Sequence, residues 1–108
     1  MSSLENEIIV LDIAGEKAIL CCRKKSVESQ LTALGFINDN ARLMRAVVDT
    51  ADREILVRSL IELDALFAAG PGWSPAELVA LYRGQGVVTG TYKTISWKSP
   101  EQYLIVDH

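Results

Sequence analysis

The sequence predicts one α+β domain, with a mostly antiparallel β-sheet and helices packed on one face of it. Short apolar runs rich in β-branched residues lie near both ends of the chain, where a turn separates each pair of runs into a hairpin. Between the hairpins, from Thr50 to Gln85, apolar residues recur every three or four positions, which is the helical period. A chain of 108 residues has the size of a single domain, so residues 1–108 are assigned to one unit. The expected order of elements is β-β-α-β-α-α-β-β.

The first half of the chain contains three predicted strands and one short helix. Strands are predicted over residues 7–13, 18–23 and 42–48, and a helix over residues 27–34. Ser26 is placed to cap that helix, and Gly35 is placed to end it. The cluster Asn-Asp-Asn at residues 38–40 is typical of a turn, and it separates the helix from the third strand.

Two helices joined by a short turn are predicted in the middle of the chain. Asp49 or Thr50 can cap the first helix by accepting a backbone N–H that its first turn leaves unpaired. The apolar face of this helix is formed by residues at spacings of three and four, namely Leu56, Leu60, Leu63 and Phe67. Gly70 is expected to end the helix, because glycine readily adopts the left-handed conformation, and Pro71 cannot continue it.

The second of these helices has the clearest start in the chain. Ser74 is the predicted N-cap, Pro75 takes the first helical position, and Glu77 completes a capping box. Trp73 and Leu78 are placed to pack against each other across the cap as a hydrophobic staple. This pattern fixes where a helix begins and carries no information about function.

The C-terminal part is predicted to be a hairpin. Its strands are expected over residues 87–97 and 102–106, joined by a turn over residues 98–101. Gly90 indicates a bulge or bend in the first strand. Tyr103 and Ile105 are placed to pair across the hairpin with Ile95 or Trp97. A terminal hairpin can leave a free sheet edge, and free edges pair with other chains, so a homodimer is one expectation.

Composition and charge are those of an ordinary globular protein. The apolar fraction is 49%, the charged fraction is 23% and the net charge is −3, so the chain is mildly acidic. This balance argues against nucleic-acid binding, which needs clustered Lys and Arg to contact phosphates. The sequence shows neither the long apolar run of a membrane span nor the pattern of a secretory signal. Cys21 and Cys22 are adjacent, and two free thiols fit a reducing compartment, so a cytoplasmic location is expected.

The sequence offers no constellation of residues that supports catalysis. The single histidine is His108, the last residue, where disorder is the default, so it makes a poor general base. One terminal histidine and two adjacent cysteines cannot supply a tetrahedral zinc site. The acidic residues within 49–54 crowd a helix start, where capping explains them. We therefore predict no catalytic, metal-binding or cofactor-binding residue, no cofactor, and no enzymatic activity.

The aromatic residues of the last third are the candidate partner-binding residues. They are Trp73, Tyr82, Tyr92, Trp97 and Tyr103. Exposed aromatic side chains beside short loops frequently anchor protein interfaces, whereas buried ones belong to the core. The sequence alone leaves both interpretations open.

These features together favour a non-enzymatic protein-binding module. The finer hypothesis is a small inhibitor, of the toxin-immunity or anti-defence type, which occludes a protein partner, because charge can steer an acidic domain towards a basic target. One alternative is a winged-helix DNA-binding regulator, since two helices followed by a hairpin have that outline and residues 74–83 would then enter the major groove. Another alternative is a small ligand-binding protein or enzyme with a pocket between helices and sheet.

Overall fold

A computed structural model describes residues 8–22, 25–39, 42–70, 73–99 and 102–108 of the chain. These residues form seven strands and three helices. The strands are β1 (Ile8–Asp12), β2 (Lys17–Cys22), β3 (Ile37–Asp39), β4 (Arg42–Ala46), β5 (Leu66–Ala68), β6 (Lys93–Ser99) and β7 (Gln102–Asp107). The helices are α1 (Lys25–Ala33), α2 (Thr50–Glu62) and α3 (Pro75–Gly84).

All seven strands belong to one sheet, in the order β3-β4-β2-β1-β5-β6-β7. Neighbouring strands are antiparallel except around β5, which is parallel to β1 and to β6. Helix α3 makes the connection between β5 and β6, because two parallel neighbours cannot be joined by a tight turn. The mostly antiparallel α+β sheet that the sequence predicts is confirmed.

The three helices pack on one face of this sheet, as the sequence predicts. They contribute the following buried residues to the main core: Leu31, Leu56, Val57, Leu60, Leu78, Val79 and Tyr82. Alternate strand residues meet them from the sheet: Ile8, Val10, Ala18, Leu20, Leu43 and Phe67. Successive side chains of a strand point to opposite faces, so the remaining strand residues lie on the other face. The radius of gyration, 13.0 Å, is that of a compact domain of this length.

The first helix of the central pair is shorter than the sequence suggests. The prediction that it continues to Gly70 is wrong, because α2 ends at Glu62 and residues Leu66–Ala68 form β5. The chain changes direction at Asp64, which has a φ of 60°, in the left-handed region. Phe67 then points into the main core while Leu66 points to the opposite face, so β5 is buried on both sides. A short continuous apolar run of this kind fits a buried strand as well as a buried helix.

Further boundaries differ from the predicted ones: α1 begins at Lys25, so Ser26 lies inside it and does not cap it, and β4 ends at Ala46. The turn predicted at residues 38–40 overlaps the three-residue strand β3, which pairs with β4. The strand predicted from residue 87 begins at Lys93, because Val87 and Val88 instead close the end of α3 through N–H bonds to the carbonyl of Tyr82. The helix start at Pro75 is as predicted, although the Ser74 side chain makes no capping hydrogen bond.

Among the described residues, no helix is both long and apolar enough to cross a lipid bilayer.

Candidate protein-interaction surface

The face of the sheet opposite the helices carries a second apolar cluster. Ile9, Leu66 and Ile95, from β1, β5 and β6, form its buried centre. Three partly buried side chains pack against this centre: Leu11, Cys21 and Tyr103. We call this side of the sheet the open face, because none of the three helices packs on it.

The C-terminal hairpin extends the open face towards the edge of the sheet. In the β6–β7 ladder, Ile95 pairs with Ile105 and Trp97 pairs with Tyr103. Directly opposite residues share a face, so Trp97, Tyr103 and Ile105 all lie on the side of Ile95. The side chain of Trp97 is 38% exposed and that of Ile105 is 37% exposed. An indole and an aliphatic side chain therefore meet solvent next to an already apolar cluster.

Strand β7 is apolar on both sides. Leu104 and Val106 alternate with the open-face residues, so they point to the side on which the helices pack. They are nevertheless exposed, Leu104 by 61% and Val106 by 39%. Strand β7 is also the last strand of the sheet at this end. A sheet edge that exposes apolar side chains on both sides is typical of an interaction site.

The five aromatic residues selected from the sequence divide between surface and core. Trp73, Trp97 and Tyr103 lie at the surface or partly so, and Trp73 is 57% exposed. Tyr82 and Tyr92 are only 5% and 7% exposed and belong to the main core, so their assignment to a partner surface is corrected. Burial also raises the pKa of Tyr82 above its usual value. Tyr82 lies on α3, which packs on the sheet, and Tyr92 packs edge-on against Phe67 and stacks with His108.

The residues that the sequence analysis missed are aliphatic. Ile105, Leu104 and Val106 lie in a continuous apolar run that identifies a strand but not its position in the sheet. In a central strand such a run is buried on both faces, whereas in an edge strand it is exposed. The apolar run is visible in the sequence, but whether it is buried or exposed depends on the position of the strand in the sheet.

His108 contacts Tyr92 through both its backbone and its ring. Its backbone N–H donates to the carbonyl of Tyr92 at 2.8 Å, and its carbonyl accepts from the Tyr92 N–H at 3.3 Å. The imidazole stacks on the Tyr92 ring, with centroids 4.9 Å apart, and its Nε2 lies 2.9 Å from Thr94 Oγ1. The Arg83 guanidinium lies 5.6 Å from the centre of the same tyrosine ring. This arrangement fastens the end of β7 to the start of β6.

A salt bridge between Arg45 and Asp52 connects β4 to α2. The Arg45 Nη2 donates to Asp52 Oδ1 at 2.7 Å, and the Val48 N–H donates to Asp52 Oδ2 at 3.0 Å. The hydrogen bond from Arg45, together with that from Val48, lowers the pKa of Asp52 below its ordinary value. Both side chains come from the helix layer side of the sheet, so this pair stabilises the fold and does not contribute to the open face.

A crevice lies at the carboxyl ends of the parallel strands β1 and β5, beside the N-terminus of α3. Its volume is about 330 Å³, and its lining includes Asp12, Ala68, Gly70, Trp73 and Ser74. The buried Oγ of Ser74 has no hydrogen-bond partner among the described residues. Crevices at the carboxyl ends of parallel strands frequently bind ligands. Within the described ranges, no group of three or more His, Cys, Asp or Glu side chains could hold a metal ion.

Comparisons with known protein families, with curated proteins and with solved structures give no match to this chain.

Proposed function

We propose that this protein is a non-enzymatic protein-binding module that uses the open face of its sheet. The single observation that carries the proposal is the exposure of Trp97 and Ile105 beside the cluster formed by Ile9, Leu66 and Ile95. Large aromatic side chains near the centre of an apolar surface supply much of the binding energy in protein interfaces. A sheet also presents them on a rigid backbone, so little conformational entropy is lost when a partner binds.

The geometry suits recognition of a protein more than recognition of a small molecule. The open face is a broad side of a sheet, and its exposed side chains come from β6 and β7. A small ligand is usually enclosed by a concave pocket, whereas a protein partner covers a broad surface of about 800 Å². The charged pair of Lys93 and Asp107, which lie opposite each other in the β6–β7 ladder, provides a polar margin to this surface.

The finer proposal is that the module is a cytoplasmic inhibitor, of the toxin-immunity or anti-defence type, which occludes its partner. The support for it is the acidic net charge of −3, which would accelerate association with a basic target. A broad apolar surface acts by covering a partner's site, and that action needs no chemistry from this chain.

Photo-crosslinking tests the binding surface directly. The photoreactive residue p-benzoylphenylalanine would replace Trp97 on the open face, and in a matched control it would replace Ile55, which is exposed on α2. In lysate of the source organism, we expect one protein to be crosslinked from position 97 and not from position 55. Equal capture from both positions, or capture of nothing but this chain itself, would contradict the proposal.

The inhibitor hypothesis needs a second measurement on the captured partner. Its own activity would be assayed with equimolar wild-type protein and with the Trp97→Ser variant, after thermal unfolding has shown that the variant is folded. We expect the wild type to abolish the activity and the variant to leave most of it. A partner that binds without any loss of activity would refute inhibition while leaving the binding module intact.

A second candidate function is ligand binding in the crevice beside α3. The unpartnered Ser74 Oγ is the observation that favours it, since buried hydroxyl groups are normally hydrogen-bonded. A thermal-shift screen of metabolite classes would test it, with Ser74→Ala as the control variant. A ligand of this crevice should raise the melting temperature of the wild type and not that of the variant.

The order of the helices and strands does not support the DNA-binding alternative. A winged helix needs two consecutive helices joined by a turn, but β5 lies between α2 and α3. Helix α3 also packs on the sheet through Leu78, Val79 and Tyr82. Fluorescence anisotropy with mixed-sequence DNA at low salt still provides a direct measurement, and we expect no binding.

A further inference from the structure

The two edges of the sheet differ in how well they are protected. The edge strand β3 has three residues, Ile37–Asp39, and such a short strand offers little backbone to a neighbour. The opposite edge strand, β7, has six residues and contains no lysine or proline, which are the residues that usually guard an edge. Among the described residues, no element continues the sheet beyond β7.

The hydrogen bonds of the hairpin show which backbone groups of β7 point outward. His108 and Tyr92 exchange both backbone hydrogen bonds, so they form a hydrogen-bonded pair of the antiparallel ladder. Hydrogen-bonded and non-hydrogen-bonded pairs alternate along an antiparallel ladder. Counting along the register from Tyr92 and His108, Ile95 and Ile105 form a non-hydrogen-bonded pair. The Ile95 carbonyl agrees with this, since it accepts from the Ala69 N–H on the far side, at 2.8 Å. The N–H and C=O of Ile105 therefore point away from β6, and the same alternation turns those of Asp107 outward.

We propose that β7 pairs with β7 of a second copy of this chain, antiparallel and about a twofold axis, so that the sheet continues across a homodimer. In the register centred on Ile105, this residue faces its own equivalent and the two exchange both backbone hydrogen bonds. Leu104 then faces Val106 of the second copy, on the side where both are exposed. The strand added to this edge must be apolar on both faces, and β7 is itself such a strand.

Charge favours this register over those that would bring the two Asp107 carboxylates together. Asp107 is the single charged side chain within β7, and a like charge directly opposite would be destabilising. In the register centred on Ile105, Asp107 of one copy lies opposite Tyr103 of the other. The two Asp107 carboxylates are therefore kept apart, on opposite sides of the twofold axis. The dimer does not depend on the proposed function, because pairing at the edge leaves the broad open face uncovered.

The test compares variants at the centre of the proposed interface by sedimentation velocity of the purified protein. Ile105→Pro removes the outward N–H without removing a hydrogen bond to β6, and proline is tolerated in edge strands at such positions. Ile105→Val is the matched control, since it keeps the N–H and most of the side chain. We expect the wild type and the valine variant to sediment as dimers and the proline variant as a monomer.

A second variant distinguishes the loss of the interface from misfolding of the proline variant. Ile105→Lys keeps the backbone intact and places a charge on the edge, so a folded monomer is expected, with folding checked by circular dichroism. A wild type that stays monomeric at concentrations on the order of tens of micromolar would overturn the proposal. A dimer that persists in the lysine variant would overturn it as well, because another surface would then hold the two copies together.

Discussion

The imidazole of His108 lies parallel to the phenol ring of Tyr92, with an angle of 12° between the planes and 4.9 Å between the centroids. This stack lies where the end of β7 meets the start of β6, and reciprocal backbone hydrogen bonds between the two residues support it. Tyr92 in turn packs edge-on against Phe67, in the main core, with ring centroids 6.4 Å apart. The last residue of the sequence is thus connected through one aromatic ring to the centre of the protein.

We expect His108→Ala to lower the free energy of unfolding by about 1–2 kcal/mol. The substitution removes the ring stack and the hydrogen bond to Thr94 Oγ1 but keeps the backbone bonds, and each lost interaction contributes roughly 0.5–1.5 kcal/mol. His108→Phe is the control, because it keeps the stack and loses only the hydrogen bond. Urea denaturation of the wild type and both variants measures their free energies of unfolding. An alanine variant as stable as the wild type would show that the stack contributes nothing.

The two central helices should respond differently to the loss of their N-cap side chains. Asp49 caps α2 by accepting the Asp52 N–H at 2.8 Å, so Asp49→Ala should cost about 1 kcal/mol of stability. Ser74 precedes α3 but makes no capping hydrogen bond, so Ser74→Ala should change stability by less than about 0.5 kcal/mol. Chemical denaturation of the two variants makes the comparison. An equal loss in both would mean that Ser74 does cap α3 in solution.

The left-handed conformation of Asp64 predicts that glycine is tolerated there. Asp64→Gly should be neutral or stabilise by up to about 1 kcal/mol, because glycine adopts a φ of 60° without steric cost. Asp64→Val should destabilise by at least about 1 kcal/mol, since a β-branched residue fits this region poorly. Differential scanning calorimetry would give both values. If α2 instead continued through residue 64, the order would be reversed, because glycine weakens a helix interior.

Stability should fall in acid partly through Asp52. Its pKa is lowered in the folded state, so the Arg45 salt bridge stabilises the fold at pH values above the ordinary aspartate range, near 4. As the pH falls from there towards the lower folded-state pKa, the carboxylate binds a proton and this contribution is lost. Asp52→Asn should therefore flatten the pH dependence of stability below about pH 4. Urea denaturation across this pH range measures the slope, and a slope as steep in the variant as in the wild type would exclude Asp52.

Tryptophan fluorescence should report occupation of the open face. Trp73 and Trp97 are both exposed, so iodide should quench the emission of the free protein. In the Trp73→Phe variant the signal comes from Trp97 alone, and a bound partner should shift its emission to the blue and protect it from quenching. The Trp97→Phe variant reports Trp73 and is the matched control. Protection of Trp73 without protection of Trp97 would place the partner at the crevice beside α3 instead.

The sequence predicts those elements whose boundaries are chemically marked. Helix α3 begins at Pro75 as expected, and α2 begins after the capping residue Asp49. Strand β5 was not predicted, because its apolar residues fit the period of the preceding helix and only burial on both faces makes them a strand. Strand β3 was missed because its residues resemble a turn, and pairing with β4 decides their conformation.

The residues of the candidate site could likewise be predicted only in part from the sequence. Trp97 and Tyr103 were identified from residue type, and the hairpin register brings them together on the open face. Tyr82 and Tyr92 were selected by the same criterion but are buried, since residue type alone does not distinguish an interface aromatic from a core one. The exposure of Leu104 and Ile105 could not be foreseen, because it follows from the position of β7 at the end of a sheet whose order is set by long-range pairing.

Strand β5 also links the two antiparallel parts of the sheet. The strands β1 to β4 lie within residues 8–46 and pair with one another through antiparallel ladders, so these contacts are close in sequence. Among the described residues, the strand that joins the C-terminal hairpin to this part of the sheet is β5, Leu66–Ala68, which pairs with β1 on one side and with β6 on the other. Without β5, the four strands β1–β4 and the hairpin of β6 and β7 would therefore be two separate antiparallel sheets, so this one short strand makes the described sheet continuous.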